Sequence, residues 1–284
     1  MEQILNTDDA WMLNRLHGVP RTMGHTGQGV PEQALNPGRV LVSGCPIDRL
    51  TLAEVVWRVE AAIRDGHHIR HCVVDAAQLA KMRHDPRLHE HVVTSDIINA
   101  DGQSVVWLTR LYGNPVPERI TSVDLMEALF RLAALRGYRA YLLGGTRHTI
   151  GAAAEAIVHK YGSAVLADAR DGYFTLEQEE SVLDKVTASG AQMLFLGLPT
   201  PREERFLFDH RDRLAVIPFA TGVGGGFELL TGQVRRAPVW MQRSSLEWLH
   251  RFLQEPRRKW KSEVVDAASF YIELAAEHIL GRRP

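Results

Sequence analysis

From Arg39 onward the chain alternates short apolar runs with longer stretches whose apolar positions recur at helical spacing. RVLVSG (39–44), IRHCVV (69–74), DIINA (96–100), RAYLLGG (139–145), SAVLAD (163–168), AQMLFLG (191–197) and LAVIPFA (214–220) read as strands. Helices are predicted between them: one opened by the capping box Thr51-x-x-Glu54, then AAQLAKMRHD, GQSVVWLTRLYG, VDLMEALFRLAALRG and a helix beginning near Arg147. Strands spaced by helices of this length need right-handed crossovers, which produce a mainly parallel sheet with helices on both faces. The expected fold is therefore an α/β, Rossmann-like core.

Both ends break the alternation. Residues 1–38 contain GVPRTMGHTGQGVPEQALNPG, rich in Gly, Pro and Gln, and are expected to form an irregular N-terminal arm. The α/β core is assigned to residues 39–233, and residues 234–284, which are helical in pattern, tryptophan-bearing and basic, to a C-terminal helical appendage. No internal repeat or low-complexity tract interrupts the chain.

Composition narrows the class. With 284 residues, 45% hydrophobic and 24% charged, the chain has enough apolar surface for one large core or two small ones. Lysine and arginine total 33 against 34 acids, so the net charge of -1 gives no global case for a nucleic-acid partner, and none is expected. Cys45 and Cys72 form no C-x-x-C pair, which fits neither a zinc site nor a disulfide framework and points to a reducing cytoplasm. The N-terminus lacks a basic leader with an apolar core, and no run approaches the roughly 20 residues that span a bilayer, so secretion and integral insertion are disfavoured.

In open α/β sheets ligands collect at the carboxyl ends of the strands. Three strand-to-helix loops are unusual there: NADGQ (99–103), LLGGTRH (142–148) and ATGVGGGFELLTG (220–232). Gly144, Gly145, Gly222, Gly224 and Gly225 would let backbone N–H groups approach a phosphate, or would simply serve tight turns. The dinucleotide fingerprint G-x-G-x-x-G is not met, because Phe227 stands where its third glycine belongs. Asp101 either faces the cleft as a proton acceptor or caps the following helix. Arg119 has the chemistry to hold a diphosphate, with a surface arginine as the plain alternative, and Asp124 fits the first turn of the next helix.

In LPTPREERF, Thr200 reads as an N-cap, Pro201 as the first helical residue and Glu203 as the capping-box acid. HHIRH (67–71) lacks the glutamate of a zinc-protease helix and reads as a solvated histidine cluster. No D-x-D occurs, so metal dependence is not expected. In the tail, Arg235, Arg236, Arg243, Arg251, Arg257, Arg258, Lys259 and Lys261 accompany Trp240, Trp248 and Trp260. That combination favours an anionic membrane surface or a lipid diphosphate, against the alternative of a merely solvated helix face.

Taken together, NADGQSVVW, PERITSVDL, LLGG, LPTPREERF, GVGGGFELLTGQVRRAPVW and LEWLHRFLQEPRRKWK resemble the WecG/TagA/CpsF glycosyltransferase family over about residues 39–262. The resemblance implies an inverting, metal-independent and cofactor-free transfer from a UDP-sugar to a polyprenyl-diphosphate-linked saccharide. It places the enzyme in the cytoplasm, peripheral on the inner face of the cell membrane, in polysaccharide synthesis. It implies Asp101 as general base, Arg119 as stabiliser of the leaving diphosphate, and Arg251, Arg258 and Lys261 as tail cations folding over the site. Val73, Asp75, Asn99, Gly102, Asp124, Gly144, Gly145, Glu203, Gly222, Gly224 and Gly225 fall at its substrate pocket.

Several of these positions depart from the family pattern. Lys261 replaces an arginine and keeps charge without the fork. Val73-Val74-Asp75 replaces T-x-N, Glu203 a glutamine, Ser122 a glycine, and Phe227-Glu228 an F-D pair. An added carboxylate beside a diphosphate is unfavourable unless neutralised. A catalytically idle lipid-sugar or partner-binding subunit and an NAD(P)-dependent enzyme are the rival readings. A homo-oligomer is compatible with all three.

Overall fold

The computed structural model of the protein describes residues 38–232, 237–238, 240–241, 249–250 and 253. Apart from Gly38, the predicted arm lies outside the described residues, as does most of the predicted appendage.

RVLVSG does not end as a lone strand. β1 (Arg39–Val42) turns at Ser43 and Gly44 into β2 (Cys45–Asp48), an antiparallel partner that the sequence pattern did not reveal. Ser43 (φ 50°) and Gly44 (φ 78°) both adopt left-handed backbone, the geometry that matches a two-residue turn to the twist of a hairpin. The second strand is masked in the sequence because CPID is short and carries a proline. Its Asp48 carboxylate accepts bonds from Arg39 Nε (3.0 Å) and the Ile98 N–H (2.8 Å), covering an otherwise open edge of the main sheet.

That sheet has six parallel strands: β3 (Ile69–Val74), β4 (Ile97–Ala100), β5 (Ala140–Gly144), β6 (Leu166–Arg170), β7 (Met193–Gly197) and β8 (Phe219–Gly222), in the order β4-β3-β8-β7-β5-β6. Two strands begin later than their apolar runs. Residues 163–165 form a 3-10 turn ahead of β6. In LAVIPFA, Leu214 belongs to a short helix, and Pro218, which has no N–H to donate, lies before β8 and accepts from Ile69 N–H at 2.8 Å.

The helices are α1 (Leu52–Asp65), α2 (Ala76–His84), α3 (Pro86–Val93), α4 (Gln103–Leu111), α5 (Ser122–Arg136), α6 (Arg147–Tyr161), α7 (Leu176–Ala188), α8 (Arg202–Asp209), α9 (Arg211–Leu214) and α10 (Gly226–Leu230). The predicted Thr51–Glu54 capping box opens α1. AAQLAKMRHD does not run straight into a strand: Asp85 ends α2 and caps α3, with Pro86 at the first helical position.

Helices cover both sheet faces. Ala140 and Leu142 of β5 pack with α1, α5 and α6, while the alternate residues Tyr141 and Leu143 pack with α7 and α8. Burial on both sides explains why β5 and β7 read as unbroken apolar runs, each buried leucine contributing roughly 1.5–3 kcal/mol. Because α6 leaves β5 toward one face and α8 leaves β7 toward the other, the carboxyl ends of these neighbours flank a crevice of the kind that receives ligands. Gly144 closes its floor. With φ of 144° and a virtual Cβ only 2.2 Å from the Gly197 carbonyl oxygen, no other residue fits without moving backbone.

Candidate active site

Along the strand ends, from the β4 edge inward, the chain sets out Asp101, Asp75, the glycine loop after β8, the Leu198 loop after β7 and the diglycine loop after β5. Strands lie about 4.8 Å apart, so Asp101 stands roughly 14–19 Å from the β5/β7 crevice. That is room for a ligand with two functional ends.

Asp101 is tied to β3 by its own N–H, which donates to the Val74 carbonyl at 2.9 Å. Gly102, not Asp101, is the N-cap of α4, and it has no side chain to cap with. The N-cap position thus belongs to Gly102, and the half-buried Asp101 carboxylate stands one residue ahead of it, two before the first helical residue Gln103. Asp75 does cap a helix, accepting the Gln78 N–H at 2.8 Å. A Cβ at Gly102 would lie 3.5 Å from that of Asp75, so the two acids of adjacent strand ends sit side by side.

The loop before α5 returns to the same place. Val116 N–H donates to Thr109 Oγ1 (3.1 Å), Leu52 N–H to Glu118 Oε1 (2.6 Å) and Ile120 N–H to the Ala100 carbonyl (3.0 Å). Half-buried Arg119 is thereby anchored on both sides, beside the residue preceding Asp101. Asp124 serves the start of α5: its N–H donates to Thr121 Oγ1 (3.0 Å), whose hydroxyl donates to Asp124 Oδ2 (2.7 Å). Ser122 is simply the first residue of that helix.

The glycine loops use much of their own amide capacity. Gly145 N–H donates to the Gly197 carbonyl (3.0 Å), Val223 N–H to Leu196 (2.7 Å) and Gly226 N–H to Val223 (2.8 Å). Gly144, Gly145 and Gly222 thus serve close packing before they serve a phosphate. Gly224 differs. Its φ is 49° and no heavy atom of the described residues lies within 4 Å of where its Cβ would be, so the loop has an open flank at Gly224, whereas a Cβ at Gly225 would lie 3.4 Å from Glu228 Oε2.

Two predicted contact residues face inward instead. Glu203 is 8% exposed and forms no capping box: α8 begins at Arg202 with Pro201 at its N-cap, and Thr200 donates to Glu204 (3.0 Å). Glu203 Oε2 accepts the N–H groups of Leu198 (3.1 Å) and Gly224 (3.0 Å), placing the carboxyl group behind the loops. Asn99 is 1% exposed, and its Oδ1 lies 2.9 Å from His71 Nε2. The ring's Nδ1 lies 2.7 Å from Thr221 Oγ1, so β4, β3 and β8 share one buried polar link beneath the site. Half-buried Val73 pairs with Asn99 in the strand register.

His71 also corrects the expected solvated cluster. His67 is exposed, but His71 is fully buried. Burial lowers its pKa to about 4, against the opposing bond from Asn99. Between that value and the usual 6.5 the unfolded chain binds a proton that the folded chain does not, so stability falls as pH drops through this window, by up to about 3 kcal/mol. Urea unfolding at neutral and mildly acid pH is expected to show that loss, and His71→Gln to show a smaller one. Equal losses in both proteins would remove His71 as the cause.

Arg251, Arg258 and Lys261 lie outside the described residues. A family model described as "Glycosyl transferase WecG/TagA/CpsF family" matches residues 40–284. The chain is also 33% identical over 177 residues to an N-acetylglucosaminyldiphosphoundecaprenol N-acetyl-beta-D-mannosaminyltransferase of Bacillus spizizenii, a match covering 62% of this chain and 67% of that protein.

Proposed function

Because the chain belongs to the WecG/TagA/CpsF glycosyltransferase family, we propose that it moves a sugar from a UDP-sugar to a polyprenyl-diphosphate-linked saccharide, with inversion and without a metal. The observation that carries this reading is the end of β4: the half-buried Asp101 carboxylate stands beside Asp75 and just ahead of Gly102, the N-cap of α4, with the Arg119 loop pinned beside it.

Asp101 takes the proton from an acceptor hydroxyl as that oxygen attacks the anomeric carbon. UDP departs from the opposite face, and a single displacement inverts the centre. Arg119, joined by Arg251, Arg258 and Lys261 of the tail, stabilises the charge that grows on the leaving diphosphate. The glycine loops contribute shape and an open flank at Gly224 rather than a full set of amides. The relative's name makes an N-acetylmannosaminyl donor and an N-acetylglucosaminyl-diphosphoundecaprenol acceptor the first pair to test.

The basic segment 234–284 is assigned to an anionic membrane surface on the cytoplasmic side. Trp240 and Leu253 are 62% and 67% exposed, which suits an interfacial contact. No helix among the described residues is long and apolar enough to cross a membrane.

Purified protein, given UDP-sugars and detergent-solubilised polyprenyl-diphosphate acceptors, is expected to yield an acceptor heavier by one sugar, read by mass spectrometry. Acceptor binding without transfer from any donor would favour the idle-subunit reading. A melting temperature raised by NAD(P) and not by UDP would favour a nicotinamide enzyme.

A further inference from the structure

Helix α8 buries two consecutive acids, Glu203 (8% exposed) and Glu204 (6% exposed), behind the strand-end loops. Each charged form would have to shed its water, so such a pair needs a structural reason. Their bonds supply one. Leu198 belongs to the loop leaving β7 and Gly224 to the loop leaving β8, and one oxygen of Glu203 takes an N–H from each. Gly222 leaves room for the other oxygen, since a Cβ there would lie 2.0 Å from Glu203 Oε1. Glu204 turns the opposite way: its Oε1 accepts from Gln78 (2.7 Å) and Thr200 (3.0 Å), fastening α8 to α2, while its Oε2 has no hydrogen-bond partner among the described residues.

We propose that Glu203 is a positioning residue whose carboxyl group locks the Gly222–Gly226 loop to the Leu198 loop, so that the donor's diphosphate meets a preset surface. This role rests on the nucleotide-diphosphate donor argued above. The side chain touches main chain rather than ligand, and it acts through the open flank at Gly224.

Its protonation state sets the strength of the lock. Burial, then the neighbouring Glu204, pushes the Glu203 carboxyl well above the usual range, against the pull of the Gly224, Leu198 and Val223 amides. A carboxyl shifted in this direction favours its neutral form, which adds no negative charge beside a diphosphate and so weakens the electrostatic objection to a glutamate at this position. Arg70, His71 and Cys72 of β3 and His91 of α3 line the same small cavity, and Lys81 and Gln78 of α2 act on Glu204. His71 is held neutral by burial, so it supplies no compensating charge when pH rises. As pH climbs through the raised pKa the proton leaves, two buried carboxylates face each other, and the loops loosen.

Two variants test this. Glu203→Gln keeps an oxygen for both N–H groups and cannot ionise, whereas Glu203→Ala leaves both donors unpaired. Hydrogen exchange of the segments around Leu198 and Gly224, corrected for its intrinsic pH dependence, is measured from about pH 6 to 9 with no ligand present. UDP affinity is then measured by calorimetry over the same range.

Wild type is expected to exchange faster in both segments at high pH and Glu203→Gln to lose that dependence. Glu203→Ala is expected to exchange fast throughout and to bind UDP roughly tenfold more weakly. Should Glu203→Ala not fold, the glutamine variant still decides. The same pH dependence in wild type and Glu203→Gln overturns the lock. Failure of wild type to bind UDP overturns the donor reading, while ligand-free exchange still judges the lock.

Discussion

Asp101→Asn is expected to lower turnover 10²- to 10⁴-fold, the usual contribution of a positioned general base. Asparagine has nearly the same shape and cannot take the proton, so the loss should fall on kcat with UDP affinity retained. Stability should hold as well, because asparagine keeps the size of the side chain and one acceptor oxygen, and the main-chain bond from residue 101 to Val74 is untouched. The neighbouring acid provides the control. Asp75 packs against Gly102 and caps α2, and asparagine caps as well as aspartate, so Asp75→Asn should remain folded and largely active. Turnover, calorimetric UDP titration and thermal melting on both variants decide the assignment. Wild-type turnover by Asp101→Asn, with the loss appearing in Asp75→Asn, would move the base one strand inward.

That control matters because the two acids were not equally legible. The alternation of apolar runs and helical spacings identified the six strands of the parallel sheet, since strands buried on both faces leave a strong imprint on sequence. It also placed Asp101 at the end of β4. What it could not supply was lateral order. β3 and β4 are hydrogen-bonded neighbours, and only that pairing brings Asp75 against Gly102. The β1–β2 hairpin was hidden for a local reason: its turn residues Ser43 and Gly44 read as the end of a strand, and the returning strand is four residues long.

The inward-facing residues were obscured for a different reason. Glu203 and Asn99 sit in segments that resemble substrate-pocket motifs, yet a motif specifies residue type and spacing, not the direction of a side chain. A usable signal did exist for His71. It stands within IRHCVV, a strand expected to be covered on both faces, so a solvated ring was already in conflict with the fold. Polar groups in such a strand must find partners, and Asn99 and Thr221 on the flanking strands provide them. The glycine loops carry a similar lesson, because Gly144 and Gly222 are demanded by a carbonyl and a carboxylate packed against their Cα atoms before any ligand is considered.

Arg119→Ala is the second large effect, expected at roughly 10²- to 10³-fold in kcat, the cost of removing one preorganised donor from a site of developing charge. Charge on the leaving diphosphate is greatest in the transition state, so kcat should fall more than donor affinity. Arg119→Lys should recover part of the loss, since an ammonium returns the charge but not the planar pair of donors that fits two phosphate oxygens. Folding is expected to survive both changes, because the loop is held through Val116, Glu118 and Ile120. Steady-state kinetics with saturating acceptor, set beside UDP calorimetry, separates the terms. If alanine weakened donor binding alone and left kcat intact, Arg119 would be a ground-state anchor, and stabilisation of the departing diphosphate would have to come from the tail cations.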